Sequence, residues 1–84
     1  MNEKEIIQNI VKETDIEIKT VESVFNATIE EIVQSLKRCD SVTIRNFGRF
    51  YIDQRHSNTK VFKFSPSQRL RKIFGWTSTY KGEV

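Results

Sequence analysis

The sequence predicts an α+β chain: two N-terminal helices, a three-stranded antiparallel sheet with a shortened hairpin, and a C-terminal helix. Three observations carry that reading. Apolar residues recur at helical spacing as far as Leu36, the period drops to two after Asp40, and helical spacing returns from Leu70 to Phe74. The 84 residues, 37% of them hydrophobic, are room for one small domain with a two-layer core and no deep substrate cavity. A chain this short buries only roughly 60–65% of its unfolded surface. Either it sits near the stability limit or a partner chain completes its core.

Asn2 is a good helix cap, Glu3 and Glu5 suit the first turn, and Ile6, Ile7, Ile10 and Val11 form the apolar stripe of the first helix. At Thr14-Asp15-Ile16-Glu17-Ile18 two isoleucines alternate with acids and the helical pattern breaks. Val21, Val24, Phe25, Thr28, Ile29, Ile32, Val33 and Leu36 then line one side of a long second helix. Lys37 and Arg38 suit the negative end of its dipole.

Past Asp40, Val42 and Ile44 alternate with Thr43 and Arg45 until Asn46-Phe47-Gly48 interrupts. Phe50 and Ile52 alternate with Tyr51 and Asp53, and Phe62 and Phe64 with Val61 and Lys63. Parity fixes the last hairpin. Pairing Phe50 with Phe64 and Ile52 with Phe62 keeps the apolar side chains on one face, whereas a one-residue slip sets Ile52 against Lys63. The connection is short, a polar turn at His56-Ser57-Asn58 in which Asn58 suits a left-handed conformation. The third helix is expected to open at Ser65, with Pro66 in its first position and Gln68 completing a capping box. Leu70, Ile73 and Phe74 give it an apolar side, and Arg69, Arg71 and Lys72 a basic one. Gly75 stops it. Domain boundaries follow: residues 1–74 as one domain and 75–84 as a tail without periodicity.

Most chemistry is excluded by what the chain lacks. His56, the one histidine, has no second ligand near it in sequence and reads as a loop residue, since zinc sites take three or four protein ligands. Cys39 has no histidine close in sequence to act as its base and reads as a small helix-terminal side chain. No glycine-rich phosphate loop, nucleophile elbow or metal motif is present. The expectation is a protein that is not an enzyme, with no catalytic residues, metal, cofactor or small-molecule substrate. No apolar run approaches a membrane span, and no apolar signal core follows Met1-Asn2-Glu3-Lys4-Glu5, so neither membrane nor export is expected. A lone cysteine suits a reducing cytoplasm.

Charge points the other way, toward a partner. Residues 1–40 carry five Lys/Arg against nine acids, net −4; residues 41–84 carry nine against only Asp53 and Glu83, net +7. An acidic half joined to a strongly basic half suggests one face for a polyanion, the alternative being chance segregation around a solvated surface. Arg45, Arg49, Arg55, Lys60, Lys63, Arg69, Arg71 and Lys72 all fall on the sheet segment or the third helix. Cations of these kinds bind phosphates without reading bases, and the start of the third helix adds free backbone N–H groups. Phe47, Phe50, Phe62 and Phe64 read as core, not as stacking platforms.

Ile44-Arg45-Asn46-Phe47-Gly48-Arg49-Phe50 is similar to the Gly-Phe-Gly-x-Phe signature of the HU/IHF family of bacterial histone-like DNA-binding proteins. Met1-Asn2 with Glu5-Ile6-Ile7 resembles that family's first helix, and Leu36-Lys37-Arg38 with Asp40 and Val42 its helix-to-strand junction. Phe64 to Arg71 resembles its entry to the last helix. The resemblance implies an intertwined HU/IHF-like dimer, helices below and a saddle-shaped sheet above, that bends DNA and has no catalytic activity. It implies a homodimer or a pairing with another HU-family subunit, in the cytoplasm on the nucleoid. By the same resemblance Arg55 matches an arm-base arginine, Arg69 and Arg71 match basic positions of the last helix, and Arg45 an arginine before the Phe-Gly pair. The turn at Asn46–Gly48 matches one that contacts phosphate.

The departures shape the expectation too. The family's long Pro-rich arm is missing, and residues 51–63 hold no proline. Asn46, Ser67 and Cys39 stand where glycines are usual, and Ser65 where Lys or Arg is common; Asn46 and Cys39 are therefore expected at positive φ. The expected function is largely sequence-non-specific DNA binding with reduced bending. The alternative, from a different class, is a phage or mobile-element module, or a partner of a conventional HU chain, that has kept the fold and lost DNA binding.

Overall fold

Asn2 accepts a hydrogen bond from the backbone of Glu5 while the Glu5 carboxylate accepts from the Asn2 backbone, a reciprocal capping box that opens α1 (Glu3–Thr14). The computed structural model describes residues 1–54 and 59–75. Arg55, the expected turn at His56-Ser57-Asn58 and the tail from Trp76 lie outside the described residues. The chain forms two units, Met1–Gln34 and a second from Ser35 onward.

In the first unit α1 ends on Asp15, whose left-handed backbone (φ 60°) lets its N–H reach the Val11 carbonyl. The expected break is narrower than its sequence pattern: Thr14 stays helical, with its hydroxyl donating to the Ile10 carbonyl at 2.7 Å, and α2 (Ile18–Lys37) begins at Ile18. Ile7 of α1 and Val21 of α2 are the buried hydrophobic residues among those described. Val24, Ile29 and Val33, on the same apolar stripe of α2, stay exposed in the single chain.

The second unit takes over the last turn of α2. The Asp40 N–H reaches back to the Ser35 carbonyl at 3.0 Å and the Cys39 N–H to that of Leu36 at 2.9 Å, the two bonds of a Schellman stop. Cys39 sits at φ 63°, as expected, where glycine is usual. Its left-handed backbone costs roughly 1–2 kcal/mol, and glycine would recover most of that, less its own entropic penalty. Cys39→Gly is therefore expected to stabilise the protein by about 0.5–1 kcal/mol, read as a higher Tm; the thiol is exposed, so no packing is lost.

β1 (Val42–Ile44), β2 (Gly48–Gln54) and β3 (Lys60–Pro66) pair antiparallel in the order β1-β2-β3. Phe50 faces Phe64 and Ile52 faces Phe62, the register that parity requires. Val42 and Ile44 join them through their pairing with Phe50 and Gly48, so one face of the sheet is apolar. There Phe50 lies 4.8 Å from Phe64, 5.9 Å from Phe62 and 6.2 Å from Phe47, centroid to centroid. Gly48 is buried under this cluster: a Cβ there would lie 2.6 Å from two ring carbons of Phe64 and from the Ser65 carbonyl oxygen.

The start of the last helix corrects the sequence reading. Pro66 is the last residue of β3, paired with Gly48, and α3 runs over Gln68–Phe74 with Ser67 as its cap. The ladder to β2 holds Ser65 and Pro66 in the strand, which an edge strand tolerates at proline. The Ser67 N–H then donates to the Phe47 carbonyl at 2.9 Å, and its hydroxyl accepts from Leu70 N–H at 3.3 Å. With Ser67 as cap, Leu70 holds the position a capping box needs for Glu or Gln, so Gln68 cannot complete one.

Candidate nucleic-acid interface

Alternation along the strands sends every second residue to the face opposite the phenylalanines. That face carries Arg49, Tyr51 and Asp53 from β2, Thr43 from β1, and Val61, Lys63 and Ser65 from β3. The Arg49 guanidinium lies over the Tyr51 ring, 4.6 Å from its centroid, a cation–π contact that fixes the arginine beside the sheet without neutralising it. Ser65 faces Arg49 across the ladder, and its hydroxyl accepts from Arg71 Nη2 at 3.4 Å. Ser65 is thus the ladder partner of Arg49 and the hydrogen-bond acceptor of Arg71. The serine that sequence reading assigns to a helix cap instead links the third helix to the polar face.

At the end of the sheet, the Phe47 N–H donates to the Ile44 carbonyl at 3.0 Å and closes a tight turn, with Asn46 at φ 66° as expected. Arg45 and Asn46 are exposed on this turn. The Ser67–Phe47 hydrogen bond sets the turn directly against the start of α3. Arg69 and Lys72, three residues apart and exposed, share a side of that helix.

Not every expected cation joins this group. Lys60 pairs with Gln54 at the far end of the ladder, and alternation puts it on the face of Phe62 and Phe64. Lys63 is on the polar face, but its ammonium is 3.2 Å from the Asp53 carboxylate, with both side chains about a third exposed or less (26% and 34%). Arg55 lies outside the described residues. Sequence reading missed Asp53 and Ser65; strand parity was the signal that places both beside Arg49 and Lys63. Among the described residues no group of three His, Cys, Asp or Glu side chains is arranged to hold a metal ion, and no helix is long and apolar enough to cross a membrane.

The model of the bacterial DNA-binding protein family matches residues 1–60. The chain belongs to the HU/IHF family. Among curated relatives it is 36% identical over 55 residues to DNA-binding protein HU-beta of Neisseria meningitidis serogroup A, 66% of this chain and 62% of the relative. DNA-binding protein HU of serogroup B of the same species matches to the same extent. The chain thus spans about 62% of the length of the curated relatives it matches. A point variant of HU from Thermotoga maritima superposes with a TM-score of 0.79 at 30% identity, over 87% of this chain and 97% of that one. An Anabaena HU–DNA co-crystal has the same fold, with a TM-score of 0.75 at 21% identity, over 89% of this chain and 99% of that one. The HU/IHF signature Ile44–Phe50 lies inside the matched stretch, while the Phe64–Arg71 resemblance lies beyond residue 60.

Proposed function

We propose that this HU/IHF-family chain is a non-enzymatic, architectural DNA-binding protein that grips backbone phosphates with little sequence preference. The pairing of Arg49, held over Tyr51, with Arg71, bonded to Ser65, beside the polar face of a sheet whose other face is phenylalanine is the observation that carries the reading. Arg45, the Asn46–Gly48 turn, Arg69 and Lys72 flank that centre, Lys60 and Lys63 are outlying cations, and Arg55 is a further candidate from the sequence alone. Guanidinium groups held by a ring or a hydroxyl keep their charge and their forked donors for phosphate oxygens. The domain is residues 1–74, with 75–84 as a tail, and the site of action is the nucleoid in the cytoplasm.

The working unit is a homodimer. Val24, Ile29 and Val33 on α2, and Ile73 and Phe74 on α3, are exposed in the single chain, with Phe74 77% exposed. A chain of this size that leaves so much apolar surface in water gains its stability from a second copy.

Its arms are short. Among the described residues the ladder of β2 and β3 runs to Gln54–Lys60, and no proline falls in residues 51–63 to wedge a base step. Without wrapped contacts to offset it, unstacking stays unfavourable, so bending is expected to be weak. Titration of fluorescent duplex DNA at two salt concentrations, with ring closure of a short fragment alongside, tests the reading. The expected results are salt-sensitive binding and little ring closure. Absence of binding at low salt supports the interaction-module alternative, and ring closure as strong as that of an armed relative contradicts the short-arm prediction.

A further inference from the structure

We propose that Asp53 restrains DNA binding by sequestering Lys63, withholding its charge from the phosphates. The inference rests on the DNA-binding reading above and concerns how strongly the same face binds.

Asp53 and Glu83 are the only acids after residue 40, and Asp53, the last residue but one of β2, stands on the polar face with Arg49 and Tyr51. A carboxylate on that face opposes the approach of a polyanion. Its Oδ2 lies 3.2 Å from Lys63 Nζ, and neither side chain is freely exposed, so salt screens the pair less than it would an open surface pair. Lys63 is also the cross-strand neighbour of Tyr51, one register step from Ser65 and its bond to Arg71 on the same face. The lysine therefore has the right position for a phosphate and the wrong partner. A phosphate must displace the carboxylate to reach the ammonium, and it meets the freed negative charge when it does. Both effects lower affinity. Neither requires Asp53 to be important for folding, since Asn keeps its shape and can still hydrogen-bond.

The test is a fluorescence titration of duplex DNA over a salt series with the parent protein, Asp53→Asn, Asp53→Glu, Lys63→Gln and the Asp53→Asn/Lys63→Gln pair. Asp53→Ser is a second charge-removing variant should Asn disturb the hairpin, and Tm is recorded for all. Asp53→Asn is expected to bind on the order of three- to tenfold more tightly at low salt and to steepen the slope of log K against log salt by up to about 0.9 per subunit. Asp53→Glu should not gain. In the Lys63→Gln background, removing Asp53 should recover much less affinity, because Lys63 is no longer there to be released. Parent binding with charge-removing variants that bind equally or more weakly overturns the restraint. Absence of binding by the parent and every variant overturns the DNA reading, and the restraint with it.

Discussion

A chain carrying Val24→Glu and Ile29→Glu is expected to be unfolded at micromolar concentration. In the single chain these side chains are 60% and 47% exposed, so a glutamate at either position reaches water. Glutamate is also at least as good a helix former as Val or Ile. A protein that folded alone would tolerate both changes. If a second copy covers α2, each replacement forfeits about 1.5–3 kcal/mol of apolar burial and buries a charge besides. Both chains lose both residues, about 6–12 kcal/mol before the buried charges are counted, which is comparable to the 5–15 kcal/mol that typically holds a domain together. Circular dichroism and sedimentation report the outcome, and the parent's Tm should rise with protein concentration. A double variant that melts like the parent, or a parent that sediments as a compact species of about 10 kDa, contradicts the dimer.

Gly48→Ala is expected to cost on the order of 2–5 kcal/mol. The added methyl would lie 2.6 Å from the Phe64 ring and from a backbone oxygen, in a backbone conformation (φ 156°) that side chains rarely adopt. The oxygen belongs to β3 and cannot retreat without breaking the ladder. Tm should fall by more than about 10 °C. Gly75→Ala, which has nothing within 4 Å of its added methyl, should cost only the backbone strain of a side chain at φ 69°, ψ 112°, on the order of 1–3 kcal/mol. Equal melting of the two variants contradicts the assigned packing. If Gly48 also serves a phosphate-binding turn, that role can be measured only where the variant still folds.

The elements most legible in the sequence were those fixed by short-range rules. The capping box at Asn2, the stripe of α2, the Phe50–Phe64 register and the positive φ of Asn46 and Cys39 each follow from a spacing or a substitution at a known stop. The start of α3 was misread because Ser65-Pro66-Ser67-Gln68 offers two serines of equal capping quality. Only the long-range pairing of Pro66 with Gly48 decides between them, and local pattern carries no such information. The candidate site divides along the same line. Its basic residues were visible as a charge excess, but which cations are free depends on their neighbours on the same face of the sheet. Lys63 and Arg49 look alike in sequence; one faces a carboxylate and the other a tyrosine ring.

Salt dependence of DNA binding by two double mutants tests the central claim most directly. Each phosphate contact contributes about −0.9 to the slope of log K against log salt. Arg69 and Arg71 are exposed on α3, and Arg71 makes only a long 3.4 Å hydrogen bond, so replacing both with alanine should leave the fold intact. The expected result is weaker binding to all sequences alike, with a slope flatter by up to about two units per subunit. Lys4→Ala/Lys12→Ala on α1, among the acids of the first half, should change binding and slope much less. If the two double mutants behave the same, the phosphate-binding face has been assigned to the wrong residues.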